Sequence, residues 1–227
     1  MTRYLLTEVG RILSQPTIGR LDNALNYLAV GQWMRANGFS TRRRYKTREQ
    51  LYDIVGNRVG SQDVLYLEFG VWQGDSIRYW SKLLKNPLSK LHGFDSFEGL
   101  PEDWLHDRPK GCFSTDGQLP VIDDDRVKFL KGWFEDTLRT YEVPPHEKLV
   151  INIDADLYSS TVTVLNALES SIIPGTFILF DEFHHRAHEL RAFDEFVRRT
   201  GMKFTLLGVT DTAEPPNTLA VLFQRVS

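Results

Sequence analysis

Val64-Leu-Tyr-Leu-Glu68-Phe-Gly70-Val-Trp-Gln-Gly74-Asp-Ser76 reads as a buried strand, a tight turn and the start of a helix. A short apolar, β-rich run that ends in glycine is the form of a strand covered on both faces. Gly70 and Gly74 let the backbone turn closely beneath a ligand, and Ser76 is placed to cap the helix that follows. This is a nucleotide-type loop but not the dinucleotide pattern. Gly-x-Gly-x-x-Gly brings a pyrophosphate onto a helix N-terminus, whereas these glycines stand four apart with Trp72 between them. Glu68, just before the loop, would repel a diphosphate and suits a cationic or hydroxyl-bearing ligand.

Outward from this stretch, β-rich runs alternate with helical patterns. The strands are expected at 64–71, 91–97, 127–134, 149–154, 177–183, 204–209 and 219–226, with helices at 76–85, 161–170 and 185–200. Such alternation predicts an α/β, Rossmann-like doubly wound fold: a mostly parallel seven-stranded sheet with helices on both faces. The last two runs are separated only by the turn-rich residues 210–217, so they are expected to form a C-terminal antiparallel hairpin. Helical patterns at 2–13 and 20–37 predict a helical N-terminal cap over residues 1–60, with the sheet domain over 61–227. The run Arg42-Arg-Arg-Tyr45-Lys46-Thr-Arg48 reads either as a solvated loop or helix face, or as a lid or contact for an anionic substrate.

With 227 residues, 41% of them hydrophobic, the chain can bury a core without disulfides, and its single cysteine, Cys112, cannot form an internal bridge. A formal charge of −3 is too balanced for a nucleic-acid-wrapping protein. No apolar run approaches the roughly 18 residues of a membrane span, and the first residues lack a signal-peptide pattern. The expectation is a cytoplasmic chain with neither nucleic-acid nor membrane partners.

The ends of successive strands carry the chemistry. Asp95 ends the second strand, where an acid commonly accepts ribose hydroxyls. Gly132 and Trp133 follow the third and could line an adenine slot. A purine, a ribose and a positive group without phosphates describe S-adenosylmethionine better than NAD or ATP. Asp154 and Asp156 follow the fourth strand, and Asp181 and Glu182 the fifth. Converging carboxylates repel one another unless a cation compensates, and all-oxygen donors favour Mg²⁺. Metal ligation is therefore expected of Asp154, Asp181 and Glu182, while Asp156 is expected to cap the next helix. His184 or His185 could reach the site as a general base or simply begin a helix, and His106 carries the same pair of readings. The six histidines and Cys112 form no zinc pattern.

Glu-Phe-Gly-Val-x-x-Gly-x-Ser at 68–76, Phe-Asp-Ser-Phe-Glu-Gly-Leu-Pro at 94–101, Lys-Gly-Trp-Phe-Glu-Asp-Thr-Leu at 131–138, Asp-x-Asp-x-Tyr-x-Ser-Thr at 154–161 and the acids at 181–182 occur in that order. Together they resemble the macrocin-type sugar O-methyltransferases, class I S-adenosylmethionine enzymes of antibiotic tailoring that include mycinamicin and novobiocin methyltransferases. The resemblance implies cofactor contacts from Glu68, Gly70, Ser76, Asp95, Ser96 and Trp133, to which the loop and slot readings add Gly74 and Gly132. It also implies magnesium ligation by Asp154, Asp181 and Glu182, although the family usually has Asp-Asp where this chain has Asp181-Glu182. The expected reaction is methyl transfer to a hydroxyl of a sugar or glycoside, with Asp154, His184 and His106 as candidate catalytic residues and a homodimer as in the family. A catechol-type O-methyltransferase and a non-catalytic S-adenosylmethionine-binding assembly protein are the alternatives; the glycine spacing disfavours an NAD-dependent oxidoreductase.

Overall fold

The computed structural model describes residues 2–40, 42–104, 108–210 and 219–227. In chain order its elements are α1 (Arg3–Ile12), α2 (Gln15–Ala36), β1 (Arg44–Tyr45), α3 (Arg48–Val59), β2 (Val64–Phe69), α4 (Asp75–Leu83), β3 (Lys90–Asp95), β4 (Val127–Lys131), α5 (Phe134–Thr137), β5 (Lys148–Ile153), α6 (Tyr158–Leu168), β6 (Phe177–Phe180), α7 (Glu189–Thr200), β7 (Phe204–Thr210) and β8 (Val221–Arg225). No helix among the described residues is long and apolar enough to cross a membrane.

The strands form one sheet in the order β1-β7-β8-β6-β5-β2-β3-β4. All six residues of β2 are buried, and it pairs in parallel with β3 and β5, setting Glu68 opposite Gly93 and Asn152. The chain winds to one side of β2 through β3 and β4, then returns to build β5 and β6 on the other. That reversal opens a crevice at the carboxyl ends of the strands, where open α/β sheets bind ligands. β8 runs antiparallel to both β6 and β7, as the hairpin reading expects; most of the intervening turn, residues 211–218, lies outside the described residues. An eighth strand was not expected. Arg44–Tyr45 pairs in parallel with Val209 and Thr210, and two residues within a basic run are too few to show alternation.

Side chains alternate across β2. Leu65, Leu67 and Phe69 pack with α2, α6 and α7, while Val64 and Tyr66 pack with α3 and α4. Residues 44–59, expected within the cap, thus contribute an edge strand and a sheet-covering helix. α3 buries Leu51, Tyr52, Val55 and Val59, and at Gly56 it packs closely on α4, where an added Cβ would lie 2.7 Å from Leu83 Cδ1. α2 buries Asn26, Val30 and Met34 and is tied down by Trp33, whose Nε1 donates to Asp194 at 2.7 Å; α1 buries nothing. Several expected strands end early, most of all those expected over 127–134 and 177–183, which stop at Lys131 and Phe180, and the last helix begins at Glu189 rather than His185.

Candidate functional site

The crevice is a cavity of about 900 Å³ reaching from the β2–α4 loop to the acids after β5 and β6. Main-chain bonds fix its floor: Gly70 N donates to Phe94 O (3.0 Å), Asp154 N to Phe69 O (2.9 Å) and Asp181 N to Ile153 O (3.0 Å). Gly70 has φ +92°, and a Cβ there would stand 1.9 Å from the carbonyl oxygen of Asp154. Only glycine lets the two loops approach this closely.

On the loop side, Glu68, Gly70, Ser76, Asp95, Ser96, Gly132 and Trp133, the residues expected to contact a cofactor, all line the cavity. Asp95 does more than face a ligand. Its Oδ2 accepts the N–H groups of Val71 (2.8 Å) and Trp72 (2.9 Å), and its Oδ1 that of Phe97 (2.7 Å), so one carboxylate shapes two loops. Glu68 is buried beneath, accepts the Tyr66 hydroxyl proton and is pushed up to about 8, chiefly by burial. Two expectations need correction. Gly74 does not line the cavity; it is the N-cap of α4, with φ +79°, and a Cβ there would meet Pro120 at 2.9 Å. Ser76 therefore does not cap α4; its hydroxyl pairs with that of Tyr52 at 3.3 Å.

On the acid side, Asp154 and Asp181 come together as expected, but around a residue that the sequence reading named only as the end of a basic run. Arg48, the first residue of α3, places Nη1 3.1 Å from Asp181 Oδ2 and 3.5 Å from Asp154 Oδ2. Asp181 is the foremost cause of a raised Arg48 pKa, which keeps the guanidinium charged. Desolvation, then the Asp181 charge, raises Asp154 well above the carboxylate range and lifts Asp156 to about 7. Asp156 is not a helix cap: it has φ +59°, Leu157 holds the N-cap position of α6, and Asp156 lines the cavity instead. A non-glycine residue in that conformation is strained, as residues at functional sites often are.

Glu182 departs from the expected ligand set. Its N–H donates to Glu189 Oε2 at 2.9 Å, while its Oε2 lies 3.2 Å from His184 Nδ1 without a hydrogen-bond partner. Among the described residues, no three His, Cys, Asp or Glu side chains are gathered to hold a metal ion. Burial, followed by the Asp181 charge, pushes Glu182 up to about 11, and burial raises the fully buried Glu189 as well. His184 lines the cavity, stacks on Tyr27 with ring centroids 5.6 Å apart and is lowered to about 4, first by burial and then by His185. His106 lies outside the described residues.

The macrocin-O-methyltransferase (TylF) family profile matches residues 36–213. The 8-demethyl-8-(2,3-dimethoxy-alpha-L-rhamnosyl)-tetracenomycin-C 4'-O-methyltransferase of Streptomyces olivaceus is 33% identical over 137 residues, 52% of each chain. The demethyldecarbamoylnovobiocin O-methyltransferase of Streptomyces niveus is 28% identical over 161 residues, 60% of this chain and 58% of that protein. The chain thus spans about half the length of the curated relatives it matches. Among solved structures, the O-methyltransferase NovP superposes with a TM-score of 0.56 at 25% identity, covering 79% of this chain and 78% of its own. With the profile spanning both the glycine loop and the acids after β5 and β6, the chain belongs to the macrocin-O-methyltransferase family.

Proposed function

We propose that the chain transfers a methyl group from S-adenosylmethionine to a hydroxyl of a sugar-bearing small molecule. The observation that carries this reading is that a single cavity joins a loop suited to a phosphate-free nucleoside cation with a group of titratable acids. The names of the relatives, which methylate glycosylated natural products, support the acceptor class. Bound S-adenosylmethionine would supply the methyl group from its sulfonium to the acceptor oxygen, leaving S-adenosylhomocysteine as the other product.

The chain's own residues bind and orient. Asp95 retains lone pairs for ribose hydroxyls after accepting three N–H groups. Glu68 offers an acid beside the cationic end of the donor, and Gly132 and Trp133 wall the purine. Asp156, titrating near 7 at the cavity surface, is matched to accept the hydroxyl proton. His184, neutral above about pH 4, orients the acceptor by hydrogen bonding. Magnesium fits two donors: Asp154 and Asp181 each bring an oxygen to one cation, and this ion commonly uses one or two carboxylates and keeps its waters. Asp154 and Asp181 would hold it, where it would polarise the acceptor hydroxyl. A cytoplasmic location and pairing of two copies through α1 and α2, whose Leu21, Leu25 and Leu28 are exposed, belong to the same reading.

The test is incubation with methyl-labelled S-adenosylmethionine and matched panels of glycosides and diphenols, read by mass spectrometry. Labelled glycoside with stoichiometric S-adenosylhomocysteine is expected, and Asp156→Asn should lower kcat about 10²–10⁴-fold. Turnover of diphenols alone would overturn the acceptor assignment, and donor binding with no transfer to any hydroxyl would overturn the enzymatic one.

A further inference from the structure

Arg48 is the one cation between Asp154 and Asp181 among the described ion pairs, and it arrives from α3, whose first residue it is. Its Nη1 lies within ion-pair distance of an oxygen of each acid, the location an ion shared by both carboxylates would take. Magnesium–oxygen bonds are about 2.0–2.1 Å, so nitrogen and metal cannot occupy that point together. The guanidinium also has a second acid within reach. Glu49 Oε1, at the exposed rim, is 3.8 Å from Arg48 Nε, and the Arg48 side chain keeps 33% of its surface exposed. A side chain buried in a sealed core could not withdraw, whereas this one lies along the opening.

We propose that Arg48 is a displaceable internal counter-cation: its contact with Asp154 and Asp181 and the binding of a divalent ion there exclude one another, and Glu49 receives the guanidinium when the ion enters. This rests on the magnesium assignment within the proposed function. With Arg48 in place, the acids are held together and compensated before any ion arrives. The cost is weakened metal binding, because the incoming ion must first displace a resident charge.

The experiment titrates Mn²⁺ into the full chain, without acceptor, followed by electron paramagnetic resonance and calorimetry. Arg48→Gln is expected to tighten Mn²⁺ binding at least tenfold, Arg48→Lys to stay within about threefold of wild type, and Glu49→Gln to weaken it. In the wild type, the Arg48 Nε–H resonance should move on Mg²⁺ addition and saturate with the metal, a readout that survives if Arg48→Gln fails to fold. An unmoved Arg48 resonance at saturating Mg²⁺, unchanged or weaker Mn²⁺ binding in Arg48→Gln, or no Mn²⁺ binding in either protein would overturn the proposal. The functional reading fails separately. Absence of methyl transfer with the competition intact removes only the reaction, and chelator-resistant methylation with a static Arg48 removes only the competition.

Discussion

Replacing Glu68 with glutamine isolates the energetic consequence of placing an acid beneath the glycine loop. Glu68 is 1% exposed and rises from 4.5 to about 8, burial outweighing the hydrogen bond from Tyr66 and the charge of Arg48. A carboxyl whose pKa is raised by folding stabilises the fold most below its unfolded value, and that stability is lost as pH rises through the folded one. The slope is about 1.4 kcal/mol per pH unit between those limits, so wild type should lose at most about 3 kcal/mol from pH 5.5 to 8 through this residue alone. Glutamine mimics the neutral acid and keeps an acceptor for the Tyr66 hydroxyl, so Glu68→Gln should not show that loss. Urea unfolding of both proteins at several pH values, with m-values compared, measures the gap. It should widen steadily up to about pH 8 in favour of the variant and then level. A cationic donor prefers the ionised acid, so S-adenosylmethionine affinity should rise with pH in wild type and stay flat in the variant. A stability gap that does not change with pH would refute the reasoning.

Asp95→Ala should weaken S-adenosylhomocysteine binding at least tenfold by calorimetry, because both the proposed ribose partner and the anchor of two loops are lost; unchanged affinity would contradict the assignment. Gly70→Ala should destabilise by roughly 2–4 kcal/mol in thermal or urea unfolding, since its φ is +92° and its Cβ meets the carbonyl oxygen of Asp154. Trp33→Phe should cost about 1–2 kcal/mol by losing the hydrogen bond to Asp194. Protease cleavage within α2 should quicken in that variant, with the sheet intact by circular dichroism.

What the sequence showed and what it hid divide along a physical line. β2 and its loop were legible because a buried strand, a glycine turn and an acid are adjacent in the chain, and strand-end acids collect wherever parallel strands end together. Arg48 was hidden because its partner Asp181 lies 133 residues away, and the basic run that it ends reads either as a solvated face or as a contact for an anionic substrate, not as a partner for acids of the same chain. The same run masked β1 and the start of α3. Asp156 looked like a cap because its left-handed backbone, φ +59°, leaves no trace in the residue type. Gly74 carried the right signal, a turn, with the wrong partner: Pro120 rather than a ligand. Glu182 follows the expected ligand directly, yet Glu189 holds its main chain and its carboxyl lies beside His184, an arrangement that chain adjacency does not reveal.

The two rims of the sheet carry a consequence for crowding in solution. Beyond β7 stands only the two-residue β1, whose neighbours Arg42, Arg43 and Lys46 are basic, and at the far rim β4 carries Lys128 and Lys131. Short outer strands and lysine-bearing rims discourage another chain from zipping onto exposed amide groups. Concentrated protein should therefore resist fibrillar stacking of one sheet edge on another.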